Sequence, residues 1–152
     1  MAPAFIGTEH TLPLTSFELV SLNEITIEDL DALKRSMEVD PQGTSPREVR
    51  DSLLAGTSAL LRFTCDDKRM LFLTQEKRGD VESSLFIWHL GGSGGMVANR
   101  EYINDALSEF ARSREIKFIR GLLTPNEKAM EIIRPFGYEI EFYAVRKEVT
   151  NG

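Results

Sequence analysis

Leu85-Phe86-Ile87-Trp88-His89-Leu90, followed directly by Gly91-Gly92-Ser93-Gly94-Gly95, sets the architecture of this chain. A short apolar run bounded by glycines reads as a buried strand that stops abruptly. Tyr102, Ile103, Ala106, Leu107, Phe110 and Ala111 then recur at helical spacing along one face. Lys117-Phe118-Ile119-Arg120-Gly121-Leu122 is a second short apolar run. Strand, helix and strand in this order predict that the strands near Leu85–Leu90 and Lys117–Leu122 run parallel and splay apart, with the helix over residues 100–113 as the crossover between them. A strand that ends in a flexible loop and feeds a helix N-terminus can also hold an anionic ligand.

Downstream, Thr124-Pro125-Asn126 opens a short helix carrying Ala129, Met130, Ile132 and Ile133, which ends before Pro135. Tyr138, Ile140, Phe142 and Ala144 alternate with Glu139, Glu141, Tyr143 and Val145, as in a half-buried strand. Glu139 and Glu141 then mark its wet face. Upstream, Ala59–Thr64, Met70–Thr74 and the strand through Trp88 are joined by turns at Asp66-Asp67-Lys68 and Lys77-Arg78-Gly79-Asp80. Short connections imply antiparallel pairing. Ser45-Pro46-Arg47-Glu48 is a strong helix start, with Val49, Leu53 and Leu54 facing the core and Gly56 as the stop. Thr26-Ile27-Glu28-Asp29 has capping-box character and precedes an apolar stripe of Ile27, Leu30, Leu33 and Met37. Phe17–Leu22 alternates as an opening strand.

The resulting order, β-α-α-β-β-β-α-β-α-β, is an α/β (α+β) arrangement with a mixed central sheet of about six strands flanked by about four helices. One domain over residues 1–152 is expected, with residues 1–16 irregular.

Apolar and charged fractions of 41% and 28% are those of a soluble globular protein. The net charge of -6 argues against an extended nucleic-acid backbone as partner. Cys65 is the only cysteine, so no internal disulfide forms and a reducing compartment such as the cytoplasm is expected. Residues 1–7 lack the basic and apolar regions of a signal peptide. No stretch is apolar enough to span a bilayer. Two distant histidines and one cysteine do not build a metal site.

The order of elements resembles the GNAT acetyltransferases. Ala111-Arg112, Asn126, Ala129 and Gly137-Tyr138 sit where that family has "AR…N-x-x-A…G-F/Y". The resemblance covers residues 45–147, with the first helices fitting more loosely. Leu85-Phe86-Ile87-Trp88, the glycine cluster, Ala111-Arg112 and Gly137-Tyr138 are similar in pattern to GNAT-like proteins of tailed bacteriophages. Some of those are associated with virion assembly or the internal core.

The resemblance implies acetyl-CoA as cofactor and an amine as acceptor. The family's pyrophosphate lies on backbone N–H groups of a "Gln/Arg-x-x-Gly-x-Gly" loop. Here His89-Leu90-Gly91-Gly92-Ser93-Gly94 matches with histidine in the basic place, and lies early; counting back from Ala111 puts Ala98-Asn99-Arg100 at the usual position. Either Gly92, Ser93, Gly94 and Gly95 still cradle phosphate in an extended loop, or the cradle is degenerate and Arg100 supplies the charge. The same glycines also read as a plain bulge and turn. Asn126 matches the residue that contacts the CoA arm, and equally suits a helix N-cap.

Many members carry, four residues before the Gly of "G-F", a tyrosine that protonates the leaving thiolate; here that place holds Ile133. The candidate general base is His89, by its ordinary pKa, or Glu82. His89 also reads as a hydrogen-bonded strand-end histidine. Cys65 lies beside Asp66 and Asp67, which disfavour a thiolate. Trp88, Phe86 and Phe72 read as core, and Arg112, Arg114, Lys117 and Arg120 as a solvated basic face. Two functions follow: an acetyl-CoA-dependent N-acetyltransferase-like protein with degenerate motifs, encoded by a phage and acting in the host cytoplasm, or an inactive GNAT-shaped structural or assembly protein with virion protein partners.

Overall fold

A computed structural model describes residues 15–38, 43–93, 98–121, 131, 133–139 and 147–149. The chain divides into two compact units, Met1–Leu122 and Leu123–Gly152. The first contains β1 (Thr15–Leu19), a 3-10 turn (Leu22–Glu24), α1 (Ile27–Glu38), α2 (Pro46–Ala55), β2 (Ser58–Cys65), β3 (Lys68–Arg78), β4 (Ser83–Gly92), α3 (Arg100–Ser113) and β5 (Phe118–Gly121). The strands follow one another in space as in sequence, β1-β2-β3-β4-β5. The first four pair antiparallel. β4 and β5 pair parallel from Ser84↔Phe118 to Ile87↔Gly121, with α3 as the connection.

This is the expected mixed α+β sheet, including the parallel pair. The opening strand starts earlier than its alternation indicates. Thr15 and Ser16 belong to β1, and Leu22 falls in the 3-10 turn. In the second unit, Arg134–Phe136 form a 3-10 turn closed by Gly137 at φ 90°, whose N–H donates to the Arg134 carbonyl at 3.0 Å. Tyr138 and Glu139, where the closing strand is expected to begin, are not in a strand, and residues 140–145 lie outside the described residues, as do Asn126, Gly94, Gly95 and most of the preceding short helix.

Both predicted caps form. Ser45 Oγ accepts the Glu48 N–H at 3.2 Å and Glu48 Oε1 accepts the Ser45 N–H at 3.3 Å. Pro46 opens α2, and Gly56 ends it in the left-handed region at φ 77°. At α1, Thr26 Oγ1 accepts the Asp29 N–H at 3.2 Å and Asp29 Oδ2 accepts the Thr26 N–H at 3.0 Å.

The buried stripe of α1 is not the one its apolar residues suggest. Ile27 is 78% exposed and Leu30 37%, while Asp29, Leu33 and Met37 are buried. Asp29, Leu33 and Met37 form one i, i+4 row, and that row faces the sheet because Asp29 has partners there. Arg62 Nη2 donates to Asp29 Oδ2 at 2.9 Å, and Arg69 Nη1 to Oδ1 at 3.3 Å. On α2, Val49 and Leu53 are buried as expected, but Leu54 is exposed.

The sheet is covered on both faces. Leu33, Met37, Val49 and Leu53 of α1 and α2 pack with Leu60, Leu71 and Leu73. Ile103 and Leu107 of α3 pack on the other face with Leu61, Phe63, Met70 and Phe72. Two covered faces explain the unbroken apolar run Met70–Leu73, where adjacent residues serve opposite layers. Three of the basic residues near the end of α3, Arg112, Arg114 and Arg120, are paired. Arg114 holds Glu76 together with Arg78, and its hydrogen bond is the main reason the Glu76 carboxyl lies below its ordinary value. Arg112 bonds Glu109. No helix among the described residues is long and apolar enough to cross a membrane.

Candidate functional site

The pairing of β3 with β4 contains an irregularity that the sequence does not show. Leu73 lies opposite His89 and Thr74 opposite Ile87, so Trp88 is an extra residue. A bulge of this kind puts two successive side chains on the same side of the sheet and disrupts the ladder locally. Trp88 packs against the α1–α2 core, and His89 reaches α1 as well, with Nδ1 2.8 Å from Ser36 Oγ. Ile87 and Leu90, on either side, pack toward α3. The Trp88 and His89 rings are 5.1 Å apart. An apolar run masks the break in alternation that would otherwise have marked the bulge.

His89 is only 2% exposed. A general base must come within hydrogen-bond reach of the proton it removes, and this placement points the imidazole at α1 instead of open solvent. Glu82, the other candidate base, pairs with Arg120 across the β4–β5 edge.

The first part of the glycine cluster belongs to the sheet. A Cβ on Gly91 would lie 1.9 Å from the Ala32 carbonyl oxygen of α1. Gly92, at φ 152°, would place one 2.1 Å from the Arg69 oxygen of β3. Each position therefore requires glycine for close approach of another backbone. Ser93 extends the ladder: its N–H donates to the Arg69 carbonyl at 2.8 Å and its Oγ accepts the Arg69 N–H at 2.9 Å. The Ser93 N–H is thus engaged within the fold. Beyond it, Asn99 precedes α3, whose first turn holds Arg100 and Glu101.

Parallel pairing with β5 reaches Ile87↔Gly121, whereas β4 runs on to Gly92. Among the described residues, the edge from Trp88 to Gly92 has no strand partner on the β5 side. It lies between the bulge and the connection to α3. In the second unit, Ile133 precedes the 3-10 turn in a helical conformation, and burial raises the Tyr138 phenol above its ordinary pKa.

Ser36, Arg69 and the ionic role of Asp29 escaped the sequence reading. The capping box marked Asp29 as a helix start, yet nothing in the sequence says that two arginines from neighbouring strands converge on it.

Similar solved structures include acetyltransferases. A probable acetyltransferase superposes with a TM-score of 0.66 at 10% identity, covering 90% of this chain and 99% of that one. The aminoglycoside N-acetyltransferase AAC(6')-Iy in complex with CoA gives 0.65 at 10% identity, covering 91% and 96%. An aminoglycoside acetyltransferase from an uncultured soil metagenomic sample, in complex with trehalose, gives 0.65 at 11% identity, covering 91% and 97%. The sequence matches no protein-family model and no curated protein. At such identities the likeness concerns architecture: the chain has the fold of the GNAT acetyltransferases.

Proposed function

We propose that this chain binds a CoA thioester along β4 and is an acetyl-CoA-dependent N-acetyltransferase-like protein with an amine acceptor. The observation that carries this reading is the shape of β4, which is bulged at Trp88 and, among the described residues, extends past its pairing with β5. A strand edge without a partner strand bonds an extended, amide-bearing chain as it would another strand, and the pantetheine arm of CoA is such a chain. The pyrophosphate would lie toward Gly92–Gly95 and the start of α3, where helix N–H groups and Arg100 favour an anion. Glu101 in the first turn and the engaged Ser93 N–H weaken that cradle. Its phosphate contacts would therefore come from the α3 end more than from Gly92 and Ser93. The CoA complex of one structural neighbour supports the ligand class.

For transfer, the amine must lose a proton and the leaving thiolate must gain one. Ile133 cannot donate the second. His89, the candidate base for the first, is buried against Ser36. These two facts favour a second reading for catalysis: a GNAT-fold scaffold with little chemistry left, serving as a structural or assembly protein. A phage origin rests on the sequence patterns around Trp88 and Gly137-Tyr138.

Ligand binding separates the readings. Acetyl-CoA at about 100 times its dissociation constant is expected to stabilise the fold by about 2.7 kcal/mol. A melting series with acetyl-CoA and with desulfo-CoA measures it. No shift at millimolar concentrations would leave only the scaffold reading.

A further inference from the structure

The helix α1 touches the bulged half of β4 at two points that match in spacing. Ala32 and Ser36 are one helical turn apart, about 6 Å along the axis. Gly91 and His89 are two residues apart on one face of the strand, about 6.6 Å. Ala32 meets Gly91 backbone to backbone, where no Cβ fits. Ser36 meets His89 through the 2.8 Å Nδ1–Oγ hydrogen bond. The first contact is steric and fixes distance; the second is directional and fixes register. Trp88, the extra residue, directly precedes His89 in the strand and packs on the same core.

We infer that the His89–Ser36 pair is a clamp that fixes the β4 bulge to α1, and that His89 is a positioning residue for the ligand edge and not the base of the reaction. A bulge leaves a residue outside the ladder, so its conformation must be held from elsewhere. Here the side chain next to the extra residue provides that hold, and without it residues 88–90 could regain regular alternation and turn His89 away from α1. The ligand half of the inference rests on the proposed function; the clamp itself does not.

The test uses the full chain and the variants Ser36→Ala, His89→Leu and His89→Asn. Asparagine can place an amide nitrogen close to where Nδ1 lies. Amide hydrogen exchange is measured without ligand, and acetyl-CoA affinity by calorimetry. In folded Ser36→Ala and His89→Leu, exchange at residues 88–90 is expected to rise about tenfold over that at 85–87, as expected for the loss of one local hydrogen bond. Acetyl-CoA affinity is expected to fall about threefold to tenfold, with recovery in His89→Asn but not in the His89→Asn/Ser36→Ala double variant. Rescue that depends on Ser36 is not expected of a histidine that merely fills space.

Unchanged exchange at 88–90 in folded Ser36→Ala and His89→Leu would overturn the clamp. Altered exchange with unchanged acetyl-CoA affinity would overturn the positioning role. A wild-type protein that binds no acetyl-CoA would overturn the proposed function and the ligand half together, while the exchange data still decide the clamp.

Discussion

Replacing Asp29 with alanine is expected to destabilise the protein by about 3–5 kcal/mol, the usual cost of removing one partner from a buried ion pair. Asp29 is fully buried and Arg62 is 17% exposed, so the guanidinium left behind is poorly hydrated. Among the described residues, Arg62 would retain only Glu18, at 3.2 Å and more than half exposed. The same substitution removes the carboxylate that accepts the Thr26 N–H, so α1 also loses part of its start. Asp29→Asn keeps an acceptor oxygen but no charge and should cost less. Glu28→Ala, which removes an exposed carboxylate 3.9 Å from Arg69, should stay within about 1 kcal/mol. Denaturant midpoints at constant slope read all three. An Asp29→Ala variant as stable as Glu28→Ala would show that the two arginines do not depend on Asp29.

The same residue sets a pH dependence. Burial pushes the Asp29 carboxyl up, but the Thr26 N–H and Arg62 outweigh it, so the folded value lies below 3.8. A depressed carboxylate contributes stability that is present above its unfolded pKa and lost as pH falls through the folded one. Glu76, held down by Arg114, adds a contribution of the same sign from its ordinary 4.5. Stability should therefore decline on acidification below about pH 4, and the decline should be shallower in Asp29→Asn.

Much of this fold was legible in the chain because its elements announce themselves locally. The Ser45–Glu48 box, Gly56, the Asp66-Asp67 turn and the period of α3 act within a few residues. The parallel β4–β5 pair followed from the strand–helix–strand order. The features that failed are set by distant neighbours. Ile27 and Leu30 carry the apolar pattern of α1, yet the helix turns Asp29 inward because Arg62 and Arg69 wait on other strands. Leu85–Leu90 looks like a plain strand, since a bulge between two covered faces leaves no polar mark. The glycine cluster was open to two readings, and residues on α1 and β3 account for its first members. For the site, sequence offered residue types with suitable chemistry; which of them reach a ligand depends on burial, and burial is what enclosed His89.

Gly91→Ala is expected to cost about 3 kcal/mol or more, at or beyond the upper end of ordinary overpacking. The new Cβ would meet the Ala32 carbonyl oxygen at 1.9 Å and its carbon at 2.9 Å. Both are backbone atoms of a helix, so no rotamer change relieves the clash; α1 must move away from β4 as a body. That movement stretches the Ser36–His89 bond and pulls Leu33 and Met37 from their layer. Gly121→Ala is the control, because its Cβ would make ordinary contacts no closer than 3.7 Å to Ile87. Melting curves of the two variants separate packing from ligand roles. A glycine kept for phosphate would lower acetyl-CoA affinity when substituted and leave the free protein's stability unchanged. A glycine kept for α1 lowers stability with no ligand present. A Gly91→Ala protein that melts with the wild type would mean that α1 does not lie against this part of β4.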